Sequence, residues 1–207
     1  MKTQTLQWMV VGFFALGFIG LMIPFASPFI IMMTPLAIIA VLAILFIGHK
    51  GPMNWRLYAA LGSVFLLSYL IELLKINLFF GPDVYLWGDS LGTLLWGVPI
   101  MVGIAWVALL YVCEAIADSL NVNMILTILI ASALALVFDI ALELVASHLD
   151  LWYWSKGVSM WNYFMWFMVS SLMFTIFKLF DVKINNKIAT LVYTSSIAFL
   201  LLLSISL

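Results

Sequence analysis

The sequence predicts an all-α fold: a polytopic transmembrane bundle of about seven helices, forming a single domain over residues 1–207. Three observations predict it. Hydrophobic residues make up 67% of the chain and charged residues only 8%, whereas a water-facing surface carries roughly a quarter charged residues. Seven apolar stretches reach the roughly 20 residues that a helix needs to cross a hydrocarbon core of about 30 Å. The connections between these stretches are short.

The first stretch, Leu6–Pro24, follows Lys2 and superficially resembles a signal peptide. No small-x-small cleavage site separates it from the next apolar segment, so it reads as a retained helix. Phe29–Ile47 comes next, across a junction no longer than a turn. Pro24, Pro28 and Pro35 interrupt these first two spans, and six to eight crossings fit the pattern. The remaining spans run over Trp55–Leu74, Leu91–Val112, Asn121–Ala146, Trp161–Phe180 and Ile188–Leu207.

Seven crossings divide the basic residues unevenly. Lys2, Lys50, Arg56, Lys178, Lys183 and Lys187 fall on one side, and only Lys75 and Lys156 on the other. The positive-inside rule then predicts a plasma-membrane protein with a cytoplasmic N-terminus and an external C-terminus. His49 and His148 fall on opposite sides, cannot share a metal, and read as ordinary loop residues. Glu114 and Asp118 read as solvated charges of the inner leaflet. A net charge of −1 without a basic run gives no reason to expect nucleic acid. The single cysteine, Cys113, excludes an intramolecular disulfide, a CxxC pair and a cysteine zinc site; it reads as a small buried apolar residue. No repeat of 20–50 residues and no matching pair of broken helices is visible, which argues against an inverted-repeat transporter.

Charges within spans are costly and therefore informative. Glu72 lies near the outer end of the third span. Asp139 and Glu143 lie toward the outer end of the fifth, four residues apart and so on one helical face. At 1.5 Å per residue Asp139 sits roughly 10–13 Å inward from the helix end, deep enough for its carboxyl to be partly desolvated. The adjoining outer loops add Asp83, Tyr85, Trp87 and Asp89 on one connection, then Asp150, Trp152, Tyr153, Trp154 and Asn162 on the next. Each has a structural explanation too. Trp and Tyr at this depth form interfacial belts, Glu72 pairs with Lys75 across one helical turn, and Glu143 reaches the headgroups. The convergence of carboxylates, an amide and aromatic rings on one leaflet is the stronger signal.

A carboxylic acid in a dry, aromatic-lined pocket can protonate a weak base, and inside a membrane an isoprenoid alkene is the neutral substrate at hand. Protonating a trisubstituted double bond gives a tertiary carbocation, which indole and phenol faces stabilise. A second carboxylate or an amide then orients the water that captures it. This chemistry needs no cofactor, and the sequence shows neither a phosphate-binding glycine loop nor a histidine cluster. The same residues suit a proton relay equally well.

Two segments resemble the membrane-bound carotenoid hydratases of the carotenoid biosynthesis family, which include bacterial 1,2-hydratases of acyclic end groups and the archaeal bisanhydrobacterioruberin hydratase. The first runs from Glu72 through Phe80-Gly81, Tyr85-x-Trp87-x-Asp89-x-Leu91-Gly92 and Gly97-Val98-Pro99 to Trp106. The second runs from Asp139 through Trp152-x-Trp154, Gly157-Val158 and Asn162 to Trp166. The resemblance covers about half the chain. Ile140 and Ser159 stand where the family has proline, Lys75 stands at a usual glycine position, and two extra residues separate Gly81 from Tyr85; these mark a divergent member. The resemblance implies a cofactor-independent hydro-lyase that adds water across the C1–C2 double bond of a linear carotenoid ψ-end. It implies Glu72, Asp89 and Asp139, with Glu143 beside them, as acid–base groups, and no metal. Tyr85, Trp87, Trp106, Trp152, Trp154, Asn162 and Trp166 are the implied pocket residues.

The expected partners are membrane lipid, a carotenoid drawn from the bilayer and other enzymes of the carotenoid pathway. Two other readings stay open. A small membrane-type lycopene cyclase begins with the same protonation, but an internal alkene traps the cation. A non-enzymatic proton-coupled carrier uses Asp139 and Glu143 to move protons.

Overall fold

A computed structural model of the chain describes residues 3–78 and 84–206; Lys2, Phe80, Gly81 and Asp83 of the sequence argument lie outside them. The architecture is an all-α bundle of α1 (Thr3–Met22), α2 (Ser27–Met32), α3 (Thr34–Gly48), α4 (Trp55–Leu78), α5 (Ile100–Ser119), α6 (Met124–Glu143), α7 (Met160–Leu179) and α8 (Ala189–Ser206). Among the described residues six helices are long and apolar enough to cross a membrane: α1, α4, α5, α6, α7 and α8. Many large apolar side chains face outward, Leu16, Leu66, Ile125 and Leu172 among them, as a lipid solvent allows and water does not.

The expected second span is broken in two. Pro35 has no N–H to give, and its ring clashes with the carbonyl four residues back, that of Ile31. The chain bends at Met33 (φ −82°, ψ 2°), and the freed Ile31 carbonyl takes the Thr34 hydroxyl at 2.6 Å. Ile30 of α2 lies over Gly20 of α1, while Leu45 of α3 joins Leu6 and Val10 of α1 in the core. Together α2 and α3 therefore carry the chain back along α1.

The expected fourth span, Leu91–Val112, is also corrected. Helix α5 starts only at Ile100, after Pro99, and continues through Ser119. The apolar residues before it form a tight hairpin of β2 (Leu94–Leu95) and β3 (Val98–Pro99). Its two corner residues, Trp96 (φ 51°) and Gly97 (φ 84°), both take positive φ, the requirement of a two-residue hairpin turn. The fifth span is shorter than Asn121–Ala146. Asn123 caps α6 by accepting the Leu126 N–H at 3.0 Å, and the helix ends at Glu143.

Helix α5 is the most buried of the spans and separates two polar ends. At one end, the expectation of solvated Glu114 and Asp118 is overturned. Glu114 is fully buried and paired with Lys178 of α7. Lys178 Nζ also lies 2.7 Å from Asp118 Oδ1, and Asp118 Oδ2 accepts the Ile184 N–H at 2.9 Å. His49 is not a plain loop residue either. Its Nδ1 shares a 2.7 Å hydrogen bond with the Tyr111 hydroxyl, which also accepts from Asn186 Nδ2 at 3.1 Å; burial pushes the His49 imidazole below its usual value. His148 is exposed at the other end.

That other end is covered by an antiparallel ribbon that the sequence reading treated as loops: β1 (Tyr85–Trp87) paired with β4 (Trp152–Trp154). Just past β1 there is no room for a side chain at position 88, because a Cβ on Gly88 would overlap the Asp150 backbone and carboxylate. Asp150 also accepts the Asp89 N–H at 3.1 Å and the Ser90 hydroxyl at 2.7 Å.

Candidate active site

The ribbon and the ends of α4, α6 and α7 enclose a polar chamber. Strand side chains alternate, so Tyr85 and Trp87 of β1 and Trp152 and Trp154 of β4 face inward and line a cavity. Leu86 and Tyr153 between them face out. The inward rings pack on one another, Tyr85 on Trp154 at 4.8 Å and Trp87 edge-on to Trp152 at 5.9 Å.

Helix α4 brings Glu72 and Lys75 to the chamber, three residues apart on one face. Glu72 is buried and accepts the Tyr85 hydroxyl. Burial and the neighbouring Glu72 carboxylate push the Tyr85 phenol far above its usual value, so Tyr85 acts as a fixed donor. Lys75 Nζ lies 3.9 Å from Glu72 Oε2, with both side chains almost fully buried. It also donates to Asn162 Oδ1 at 3.3 Å and sits over the Tyr85 and Trp166 rings at 4.8 and 4.9 Å. Trp166 in turn stacks on Trp106 of α5, 4.4 Å between centroids.

Helix α6 brings Asp139 and Glu143, as their spacing predicts. Asp139 is 8% exposed, and its Oδ2 has no hydrogen-bond partner. Glu143 differs. It accepts the indole N–H groups of Trp154 at 2.8 Å and Trp152 at 3.2 Å, which fastens β4 to the end of α6. Helix α7 supplies Asn162 at its first turn. Ser159 caps that turn, its side chain accepting the Asn162 N–H, so the serine at the family's proline position still starts the helix here. Asn162 Nδ2 and Trp87 Nε1 are buried donors without a partner.

From this foot the cavity, about 690 Å³ in volume, runs on between α1, α2–α3 and α8. Its walls there are apolar: Phe13, Phe14 and Gly17 of α1, Ile38 of α3 and Phe199 of α8 among them. Two lining residues, Leu16 and Leu36, are 71% and 59% exposed, so the cavity opens sideways, toward lipid, between α1 and α3.

Of the expected site residues, the chamber unites Glu72, Asp139, Glu143, Tyr85, Trp87, Trp106, Trp152, Trp154, Asn162 and Trp166. Asp89 is exposed two residues past β1 and does not line the cavity. Lys75, expected in the outer charge count and as the partner of Glu72 across one turn, does pair with Glu72 and also lines the chamber, a role the sequence alone does not assign it. The signal for a buried lysine was that α4 continues for three more residues past it, to Leu78. The α1 wall was missed as well, since nothing in its composition separates a cavity face from a lipid face. Among the described residues no group of three His, Cys, Asp or Glu is arranged to hold a metal ion.

Fold and site together define a class: a multi-pass membrane protein with a buried acid–lysine cluster at the foot of an apolar cavity that opens toward lipid. Within that class, the family model of carotenoid biosynthesis proteins matches residues 29–207. The chain belongs to this family and has a role in carotenoid biosynthesis. No curated protein and no solved structure matches it.

Proposed function

We propose that this protein is a carotenoid hydratase that adds water across the C1–C2 double bond of an acyclic ψ-end and leaves a tertiary alcohol at C1. The observation that carries the reading is Asp139, a buried carboxyl with an unpartnered oxygen, facing a long apolar cavity with a lipid-side mouth. A carotenoid is an apolar rod dissolved in the bilayer. It enters between α1 and α3 and stops with its end group among the chamber's polar residues.

Asp139 gives its proton to C2, and the electron pair of the double bond forms the new C–H bond. The positive charge left at C1 is met by the ring faces of Tyr85, Trp87, Trp152 and Trp154. A water molecule bonds to C1 and loses a proton to a carboxylate, and Asp139 is reprotonated from solvent. Glu72, held by Tyr85, is the base on this reading. Asn162 Nδ2 and Trp87 Nε1 are free to donate to the water oxygen. Glu143 holds the two indoles in place. The end of the bundle that carries Lys50, Arg56 and Lys178 faces the cytoplasm of the plasma membrane, and the chamber faces outward.

Coexpression in a lycopene-making host tests the reading. The expected product is one water heavier per reacted end; a cyclised product of unchanged mass, or no new pigment, would sink it. The cavity route makes a second prediction. Gly17 lines the wall, where a Cβ would stand 3.6 Å from the Phe199 ring, so Gly17→Phe narrows the passage. We expect about a tenfold rise in apparent KM, equivalent to about 1.4 kcal/mol, with kcat little changed. An unaltered KM would mean that the substrate takes another path.

A further inference from the structure

We propose that Lys75 is a positioning residue that divides the labour between the two buried carboxyl groups: its ammonium keeps Glu72 as the carboxylate, and Asp139 remains the neutral acid. The roles named rest on the hydration reading, but the charge assignment does not.

The chamber's carboxyl groups differ in what each one touches. A buried ionised carboxylate needs charge-assisted donors or a cation, and one without them takes up a proton instead. Glu72 has both a donor and a cation: the Tyr85 hydroxyl and the Lys75 ammonium at 3.9 Å. Glu143 has two indole N–H donors. Asp139 has neither donor nor cation in bonding reach of Oδ2, although it lines the same cavity. Lys75 is thus the one described cation of the chamber, and it stands nearest Glu72.

The ammonium is held on several sides. Asn162 Oδ1 accepts from it at 3.3 Å, and the Tyr85 and Trp166 rings lie 4.8 and 4.9 Å away. Those contacts come from β1 and α7, so they fix Nζ independently of its own helix. The other ionisable groups near the ammonium are Asp139 and Glu143 of α6, and Tyr163 of α7 faces those two carboxyl groups. Without Lys75 these carboxyl groups would compete for protons on similar terms, and the pocket would enter the reaction without a defined base. A lysine at the position where the family resemblance expects glycine then has a stated purpose.

Two measurements on the full-length protein in nanodiscs test this. The first is infrared difference spectroscopy and needs no turnover. Subtracting the Glu72→Gln spectrum from wild type should reveal an ionised carboxylate band. The same subtraction in a Lys75→Met background should reveal a protonated carboxyl band. Asp139→Asn should remove a protonated band in both backgrounds. A protonated Glu72 in wild type, or an ionised Glu72 that persists in Lys75→Met, overturns the proposal. The second is chemical rescue. Lys75→Ala should lose about 100-fold or more in product formation, the usual worth of a lost general base. Added ethylamine should restore a substantial part, and ethanol none; rescue by neither would give Lys75 a merely structural role. If wild type makes no hydrated product at all, the hydration reading fails, and the infrared arm still decides the charge assignment.

Discussion

Asp139→Asn is expected to abolish carotenoid hydration while leaving the protein folded in the membrane. The change is isosteric, and Oδ2 has no hydrogen-bond partner to lose, so no network collapses. Only the transferable proton disappears. Positioned acid–base groups contribute roughly 10²- to 10⁴-fold, and with the other chamber carboxyl groups already held by hydrogen-bond donors the loss should lie toward the upper end. The measurement is pigment analysis by mass from membranes containing matched amounts of protein, with thermal unfolding in detergent as the folding control. Near-normal turnover in a folded variant would remove Asp139 from the mechanism. Asp89→Asn is the contrasting case: that side chain is exposed outside the cavity, so its replacement should leave most of the product.

Lys178→Met is expected to produce the largest loss of stability. Lys178 neutralises Glu114, which is fully buried, and holds Asp118 at 2.7 Å. Removing one partner of a buried ion pair typically costs about 3–5 kcal/mol, because the remaining charge is left uncompensated. Methionine keeps the length of the stem, so packing loss contributes little. The double change Lys178→Met with Glu114→Gln should recover a large part of that cost, since the fully buried charge goes with its partner, and Asp118 keeps the Ile184 N–H. Unfolding free energies in detergent measure both. A single variant within about 1 kcal/mol of wild type, the worth of an exposed pair, would show that this cluster is solvated after all.

The two clusters also bear on the carrier reading. Trp106 and Glu114 are eight residues apart on α5, about 12 Å along the axis. Between and around them lies a packed apolar core that includes Leu110, Phe174 and Phe177. The acidic groups at the basic end are tied to Lys178 and to the Ile184 backbone. That arrangement suits a structural clasp at one end and chemistry at the other.

Composition and run length alone determined that this chain is a helical membrane bundle, because the cost of burying backbone and charge in hydrocarbon leaves few other solutions. Spacing determined more: Asp139 and Glu143 share a face because 3.6 residues make a turn, and Glu72 stood out because a charge in a span is expensive. Structure departs from sequence expectation where apolar residues serve two purposes. Leu91 to Pro99 is as apolar as a span, yet Trp96 and Gly97 turn it into a hairpin. Phe29–Ile47 reads as one helix until Pro35 breaks it at Met33.

Only the tertiary structure decided which charges meet. Glu114 and Lys178 are 64 residues apart, as Lys75 and Asn162 are 87, and no local pattern encodes such encounters. The same holds for the ribbon that sets Tyr85 against Trp154, and for the α1 wall of the cavity. Hydropathy cannot tell a helix face that meets lipid from one that lines an apolar cavity, since both are equally apolar. The fold class follows from a transfer free energy that each residue carries by itself, whereas the site follows from pairings that exist only once the helices have packed.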